Sequence, residues 1–373
     1  GLGIVLAVAC VSIPLEAFSS IQMALYKRDL DFKTLFKVRI VSILIPLIVT
    51  VPLALMLKSY WALVIGTIAQ NLVNAVLLTV LSRWKPRRYY SFDKLKEMLS
   101  FTIWSMFEAI SIWLTSYVDV FIVGTMLSQH YLGLYKTSSS LVGQIMGLVT
   151  SVTTPILFSA LSRLQNDEQE FQDLFFKFQK LVGMLVIPTG VGIFLFSDLV
   201  TEIILGKQWM EASGFVGLWG LTSALTIVLS HYSSEVYRAK GRPRLSVLSQ
   251  WLHIIFLWPT VLIAVRYGFQ TLYVARSLIR LEGIVVDMLL LYLIFGISSA
   301  KMLINVLPAF VSSILMIVVY RLLPNGPSYF CTIMKLLACG LTYVLIIIAF
   351  PNERSIVLKI TGDFFNKKKV KNR

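Results

Sequence analysis

The sequence is poor in the residue types that build catalytic and metal sites. It has 3 cysteines and 3 histidines among 373 residues, and 14% of its residues are charged. The cysteines lie inside apolar runs without metal or redox spacing, so we expect packed free thiols at Cys10, Cys331 and Cys339. No Walker loop and no metal-spaced histidine set occurs, and we expect neither a cofactor nor a metal. The lack of a large hydrophilic loop argues against an enzyme.

Hydrophobic sequence is what the chain has in excess, with 57% hydrophobic residues and a mean hydropathy of +0.78. Since soluble domains carry about 25% charged residues, this composition predicts an all-α, polytopic membrane helix bundle. The 34 lysines and arginines outnumber 19 acidic residues, but they cluster in short loops, which is typical of membrane topology and not of nucleic-acid binding. Eleven spans are predicted, near residues 3–26, 36–57, 60–82, 98–125, 132–159, 180–198, 212–236, 245–265, 268–294, 302–321 and 330–350.

The distribution of basic residues predicts how the spans are oriented. The loops on one side, together with the C-terminal tail, hold 26 of the 34 lysines and arginines, in runs such as Arg83 to Arg88, Arg238 to Arg244 and Lys367 to Arg373. The positive-inside rule places that side, and the tail, in the cytoplasm. Residue 1 is a glycine that opens inside an apolar run without a charged leader. We therefore expect the chain to be truncated at its N-terminus.

An internal repeat divides the chain. The segment FSSIQMALYKRDLDF, which begins at Phe18, matches YSSEVYRAKGRPRL from Tyr232, and SYWALVIGTIAQN from Ser59 matches GFQTLYVARSLIR from Gly268. Both offsets are about 210 residues, or six spans, so the two copies share one orientation. We expect two parallel six-helix lobes. Residues 1–96 would hold the last three helices of an incomplete first lobe and a cytoplasmic linker, 97–296 a complete second lobe, 297–351 two additional helices, and 352–373 a basic cytoplasmic tail.

The first two helices of the complete lobe, between Phe101 and Ala160, each carry a polar stripe. Ionisable groups inside a membrane usually face a bundle interior or a watery cavity, so these stripes indicate that the pair lines a cavity. The stripes, at helical spacings, are Ser105, Glu108, Ser111, Thr115 and Asp119 on the first helix, and Lys136, Ser140 and Gln144 on the second.

The last helix of the same lobe carries charges of both signs on one face. Arg276 and Arg280 lie one turn apart, and Asp287 follows seven residues after Arg280. Because the helix begins near Gly268, Arg280 lies close to the bilayer middle, where an unpaired arginine costs about 3 kcal/mol. An anionic ligand would offset this cost, since arginine binds phosphate in a forked geometry. The alternative is internal pairing of the arginines with Asp287, Glu282 or a carboxylate on another helix.

Neutral amide side chains occur at and beside the first-lobe positions that correspond to the two arginines. The positions of the first lobe that correspond to the arginines include Asn71, with Gln70 and Asn74 beside it. Such side chains suit sugar hydroxyls, so we expect Gln70, Asn71, Asn74 and Gln144 to line the substrate cavity.

Buried carboxylates offer two further roles. A desolvated carboxylate binds and releases protons near neutral pH, and Glu16 and Glu108 are our candidates for binding a coupling proton or sodium ion. Asp119 and Lys136 flank the short hinge between their helices at matched depths. We expect these two to form a structural ion pair.

Six segments together resemble a known family, the polysaccharide-biosynthesis flippases of the multidrug/oligosaccharidyl-lipid/polysaccharide exporter superfamily. Two departures concern Trp104, where such proteins usually place a proline, and residues 116–118, which lack the arginine that many carry before the position of Asp119. The segments, in chain order between Ala24 and Ile294, are ALYKRDLDF, YWALVIG, LGLYKTSSSL, PILFSALSRLQND, LGKQWMEA and AKGRPRL.

The resemblance implies a MATE-like fold, with two lobes around a central cavity, that works by alternating access. It implies that the protein flips an undecaprenyl-pyrophosphate-linked oligosaccharide across the bacterial inner membrane, for O-antigen, capsule or exopolysaccharide biosynthesis. The partners it implies are this lipid-linked substrate, membrane lipids and other polysaccharide assembly proteins. The two arginines would then contact the pyrophosphate.

Two alternatives stay open. A proton- or sodium-coupled multidrug exporter of the same superfamily would have an acidic, aromatic cavity for organic cations, which Arg276 and Arg280 disfavour. A membrane polysaccharide polymerase or ligase would need a sizeable outer loop, and the longest one here, roughly 197–211, is short.

Overall fold

Helices are the regular elements of residues 2–82, 91–324 and 329–356, which are the part of the chain that the computed structural model describes. No strand occurs in these ranges, and the expectation of an all-α, multi-pass membrane protein is confirmed. The basic runs 83–88 and 367–373 lie outside the described residues. The chain divides into two compact units, Gly1–Leu95 and Lys96–Arg373. Each unit is described by itself below.

Within the described ranges, ten helical stretches are long and apolar enough to cross a membrane. An eleventh helix, Phe269–Phe295, has the length, at 27 residues, but its membrane-length apolar stretch contains more charged side chains than those of the other ten. These are Arg276, Arg280, Glu282 and Asp287. The eleven helical stretches follow the order of the predicted spans.

Residues 2–82 of the first unit form four helices: α1 (Leu2–Ala9), α2 (Ser12–Arg28), α3 (Phe32–Leu57) and α4 (Trp61–Leu81). The span predicted near 3–26 is broken between α1 and α2. Pro14 has no amide hydrogen to donate to the Cys10 carbonyl, which instead accepts a bond from the Ile13 amide at 3.1 Å. This bond spans three residues in place of the four of an α-helix, and the tighter turn explains the break.

The second unit opens with long helices: α5 (Phe92–Met126), whose first residues belong to the first unit, and α6 (Gln129–Arg163). Each has 35 residues, or about 50 Å at 1.5 Å per residue, which exceeds the roughly 30 Å of a hydrocarbon core. The spans predicted at 98–125 and 132–159 are therefore parts of longer helices. α7 (Glu168–Leu195) and the short α8 (Ser197–Ile204) follow.

The span predicted near 212–236 is three helical pieces in sequence. α9 (Ser213–Thr226) passes into a π-helical turn at Ile227–His231, and α10 (Ser233–Ala239) follows. A π turn holds one extra residue, and such turns often occur at functional sites. The remaining helices are α11 (Arg244–Ala264), α12 (Phe269–Phe295), α13 (Ser299–Leu322) and α14 (Tyr329–Ala349).

Two clusters of buried apolar side chains hold the second unit together. The larger joins α6, α7, α9 and α12 with α13 and α14. The smaller joins α5, α6, α9, α11 and α12, and in it the Tyr135 and Phe215 rings stack with their centroids 5.1 Å apart. This smaller cluster fixes the position of Tyr135, which the candidate site uses.

The three cysteines are free, but they differ in burial. Cys339 is buried in the larger cluster, whereas Cys10 and Cys331 are exposed. The expectation of packed thiols is therefore wrong for two of the three. An apolar run in a membrane protein also supplies the outer surface of the bundle, so apolar neighbours do not imply burial.

The repeat-based division of the chain stays a prediction. It comprises the incomplete first lobe of residues 1–96, the complete lobe of 97–296, the additional helices of 297–351 and the tail of 352–373.

Helices α7 and α9 approach each other closely. A Cβ at Gly190 would lie 2.3 Å from the Ala224 Cβ and 3.0 Å from the Gly220 carbonyl oxygen. Small residues permit such close backbone contact between membrane helices.

We predict that Gly190→Ala destabilises the second unit, because neither contacting atom belongs to a flexible side chain. The expected loss is about 1–3 kcal/mol, as for other overpacked cores, and is measured as a lower melting temperature of the purified protein in detergent. Gly340→Ala on α14 is the matched control, since a Cβ there meets no atom within 4 Å. Equal melting temperatures of the two variants would contradict the close packing.

Candidate functional site

A cavity of about 480 Å³ lies among α5, α6, α9, α11 and α12 of the second unit. The polar stripes predicted on α5, α6 and α12 contribute to its lining, because bundle packing turns these faces towards each other. Hydroxyl and amide groups from α5, α6 and α11 complete the lining. The charged residues on the wall are Asp119, Lys136, Arg276, Arg280 and Asp287.

Asp119 and Arg276 form a buried ion pair between α5 and α12. The Arg276 Nε donates to Asp119 Oδ2 at 2.6 Å, and the Tyr135 hydroxyl donates to the same oxygen at 2.6 Å. The two charged residues are only 3% and 5% exposed. The Arg276 Nη1 is buried without a hydrogen-bond acceptor among the described residues.

The predicted pair of Asp119 and Lys136 is not what the structure has. Tyr135 points inward from α6 to reach Asp119, and Lys136, the next residue, is turned by about 100° around the helix. Its Nζ lies over the Tyr117 ring, 4.6 Å from the centroid. Both residues line the cavity, but the cation that neutralises Asp119 is Arg276.

Arg280 lies one turn further along α12 and has no carboxylate partner among the described residues. Its Nη1 donates to the Ser223 Oγ at 2.7 Å, and its guanidinium lies 4.2 Å from the Trp219 ring centroid. The Arg276 guanidinium lies 5.0 Å from the same centroid. Two guanidinium groups thus share one indole ring on the cavity wall.

The internal partners considered for Arg280 are engaged elsewhere. Glu282 Oε2 lies 2.9 Å from His253 Nδ1. Asp287 accepts hydrogen bonds from Ser230, Ser249 and Tyr237. Neither carboxylate neutralises Arg280, which leaves its positive charge facing the cavity.

Glu108 belongs to a different cluster. It is 4% exposed, its Oε1 lies 3.8 Å from Arg238 Nε, and Arg238 also pairs with Glu235 on α10. Glu235 is 2% exposed. Two buried carboxylates thus share one arginine. The sequence pattern had singled out Glu108 without either partner.

The candidates of the first unit are brought together in part. The Asn71 Nδ2 donates to Glu16 Oε1 at 2.8 Å, which joins a substrate candidate to an ion-coupling candidate. Glu16 is exposed in this unit, so the prediction of a buried carboxylate is wrong for it. The Ser42 Oγ donates to Asn74 Oδ1 at 3.4 Å, and Gln70 is half-buried. On α6, Gln144 is exposed and donates to the Ser140 Oγ at 3.3 Å. It is not among the residues that line the described cavity.

Two residues of the site were missed by sequence reasoning. Trp219 and Ser223 on α9 hold Arg280, and they lie one turn apart on the same face. The only signal was that spacing, because α9 carries no charged residue that would mark a polar face.

Comparison with known proteins gives one family. A family model described as "Polysaccharide biosynthesis protein" matches residues 1–214. The chain is 24% identical over 245 residues to an uncharacterized membrane protein in the cps region of Klebsiella pneumoniae, with 64% of this chain and 50% of that protein covered. It is 22% identical over 263 residues to the succinoglycan biosynthesis transport protein ExoT of Rhizobium meliloti, with 70% and 52% covered. The chain thus spans about half the length of these relatives.

A third relative and a solved structure are also similar to the chain. The chain is 21% identical over 192 residues to the lipopolysaccharide biosynthesis protein WzxC of Escherichia coli, with 50% of this chain and 38% of that protein covered. Among solved structures, it resembles the lipid II flippase MurJ in its inward closed conformation. The TM-score is 0.67 at 16% identity, with 95% of this chain and 74% of that chain covered. This structural likeness is one of fold.

The Asp119–Arg276 pair makes a prediction for stability. Asp119→Asn or Arg276→Gln alone should cost about 3–5 kcal/mol, because each leaves an uncompensated buried charge. The double variant should be more stable than either single one, as measured by melting temperature and membrane abundance. Lys136→Ala is the control and should have little effect, since Lys136 is exposed. Losses that simply add in the double variant would contradict the pairing.

Proposed function

The chain belongs to the polysaccharide biosynthesis protein family, and from that premise we propose that it flips a polyprenyl-pyrophosphate-linked oligosaccharide across a membrane. The observation that carries the proposal is Arg280, a cation on the wall of a polar cavity with no acidic partner among the described residues. It is a transporter in this proposal and not an enzyme.

The chemistry of the two arginines favours a phosphate ligand. Desolvating a guanidinium without an anion is costly, and Arg280 has only a hydroxyl and an indole ring as partners. Arg276, beside it, has an Nη1 that is buried and unpaired among the described residues. Forked donors match phosphate oxygens, and two guanidinium groups that share one ring suit a pyrophosphate better than a single phosphate.

The polar residues around the arginines suit the sugar part of such a substrate. The hydroxyl and amide groups of Thr115, Ser139, Ser140 and Gln250 line the same cavity. In this proposal Gln144 and, in the first unit, Gln70, Asn71 and Asn74 add further sugar contacts.

The names of the relatives support a lipid-linked saccharide as the substrate class. WzxC is named for lipopolysaccharide biosynthesis, ExoT for succinoglycan biosynthesis transport, and MurJ as a lipid II flippase. We propose undecaprenyl as the lipid, the bacterial inner membrane as the location, and a cytoplasmic C-terminal tail, the last of these from the basic loops. Membrane lipids and other polysaccharide assembly proteins are the proposed partners.

Alternating access between two parallel lobes is the proposed mechanism, with the cavity of the second unit as the proposed substrate site. Glu16 and Glu108 remain candidates for ion coupling. Glu108 shares Arg238 with Glu235, so two carboxylates face one positive charge, and this favours uptake of a cation. Glu16 accepts a bond from Asn71, which would link ion and sugar contacts.

The alternative functions find less support. A multidrug exporter for organic cations needs net negative charge in its cavity, whereas the described lining carries two carboxylates, Asp119 and Asp287, against three cationic side chains, Lys136, Arg276 and Arg280. A polymerase or ligase needs a large loop, and the segment between α7 and α9 holds only the short α8 and a 3-10 turn at Lys207–Ala212.

Arg280→Ala should lower glycan export at least tenfold, since the loss of a charge-assisted hydrogen bond costs about 1.5–3 kcal/mol. Arg280→Lys should rescue it only in part, because an ammonium keeps the charge without the forked geometry. Surface glycan and membrane abundance are measured on the same cells. Arg266→Ala, which removes an exposed arginine from the turn before α12, is the control and should leave export unchanged. Normal export by the Arg280→Ala protein would remove Arg280 from the site.

A further inference from the structure

Asp287 is a buried carboxylate that accepts hydrogen bonds from three hydroxyl groups. It is 7% exposed. The Ser249 Oγ donates to it at 2.7 Å, the Ser230 Oγ at 2.5 Å and the Tyr237 hydroxyl at 3.2 Å. The three donors come from α11, the π turn and α10. Asp287, Ser230 and Ser249 line the cavity, so an ion in the cavity can reach the carboxylate.

The partners of Asp287 differ from those of the other buried carboxylates. The described part of the chain buries five carboxylates, and four of them contact a basic side chain. Asp287 is the exception, since no lysine, arginine or histidine nitrogen of residues 2–82, 91–324 and 329–356 lies within ion-pair distance of it. The four pairs are Asp119 with Arg276, Glu353 with Lys180, and both Glu108 and Glu235 with Arg238.

Most ionisable groups on the surrounding helices are engaged elsewhere, and none among the described residues forms an ion pair with Asp287. On α12, Arg276 is paired with Asp119 and Arg280 is bonded to Ser223. Arg244 of α11 lies over the Trp104 ring, and Arg266 before α12 and Arg321 at the end of α13 are exposed. Four further ionisable side chains on neighbouring elements have partners of their own. They are His231 of the π turn with Thr154, Tyr237 of α10 with Asp287 itself, His253 of α11 with Glu282 of α12, and Lys301 of α13 with Asp173.

A carboxylate inside a membrane helix is expensive to keep ionised without a counter-charge. We propose that Asp287 binds one exchangeable monovalent cation, a proton or a sodium ion, from the cavity. Carboxylate and hydroxyl oxygens are the ligand type that hard cations prefer. The π turn that carries Ser230 supports the assignment, because such turns often mark functional positions within helices.

The position of the site on α12 gives the cation a role, and this role rests on the flippase function proposed above. Arg280 and Asp287 are seven residues apart, or about 10 Å along the helix axis. When an anionic substrate occupies the Arg280 end, a neutralised Asp287 no longer repels it. Binding of substrate and of cation should therefore favour each other, as linked sites must.

Cation binding is tested on the purified full chain in lipid nanodiscs, without any glycan. In the proton case, the infrared difference spectrum between low and high pH should contain the carbonyl band of a buried carboxylic acid, and Asp287→Asn should remove it. In the sodium case, NaCl should raise the melting temperature by a few degrees over choline chloride at equal ionic strength, and Asp287→Asn should abolish that rise. Asp173→Asn is the matched control, since its side chain is 52% exposed beside Lys301, and it should change neither signal.

Ser249→Ala provides a second test that keeps the carboxylate. The loss of one hydroxyl donor to the ionised form should make the acid band persist to higher pH by about one unit, or weaken the sodium response at least threefold. Either response in the wild type, with its loss in Asp287→Asn, supports the proposal and identifies the ion. The proposal is overturned if both signals are the same in the wild type and the Asp287→Asn protein. If Asp287→Asn cannot be purified, unchanged responses of Ser249→Ala overturn it. Since no glycan is involved, such a failure leaves the proposed flippase function standing.

Discussion

A charge inside a membrane must be met by another charge or by a ligand, and the second unit is arranged around that constraint. The Asp119–Arg276 bond joins α5 to α12, and Tyr135 brings α6 to the same point. The middle of α5 is held by polar contacts and not by apolar packing, because its buried residues there are Glu108, Ser111 and Asp119. The pair therefore both links α5 to α12 and shapes the cavity wall. Once Asp119 is committed to Arg276, Arg280 is left with a positive charge that no protein carboxylate of the described residues neutralises.

Spacing along single helices predicted much of this arrangement. The 4- and 7-residue steps that connect Arg276, Arg280 and Asp287 place them on one face, and all three line the cavity. Pairing between helices was beyond such reasoning, because it depends on how each helix is rotated about its axis. Lys136 has the depth of Asp119 but the wrong rotation, and the expected pair does not form. Arg238 as the partner of Glu108, and Asn71 as the partner of Glu16, could not be predicted for the same reason. The broken span at Pro14 and the π turn in the span near 212–236 are local departures that hydropathy does not register.

The cavity has two poles, and this polarity connects the proposals. Arg276 and Arg280 share Trp219 at one pole, and Asp287 with its three hydroxyl donors forms the other. A lipid pyrophosphate at the first pole and a small cation at the second would each relieve a charge that the protein leaves unmatched. The likeness of fold to a lipid II flippase and membership of the polysaccharide biosynthesis protein family are consistent with such a substrate. The fold likeness and the family membership do not identify particular site residues. The geometry of the cavity is what points to Arg280 and Asp287.

The central claim is that the cavity selects a lipid pyrophosphate through Arg280. The most direct measurement is the equilibrium affinity of the purified protein for farnesyl pyrophosphate and for farnesol, which has the same tail without the charge. The account predicts at least tenfold tighter binding of the pyrophosphate, a preference that weakens with salt and is lost in the Arg280→Gln protein. Equal affinities for the two lipids in the wild type, or an undiminished preference in the Arg280→Gln protein, would contradict it.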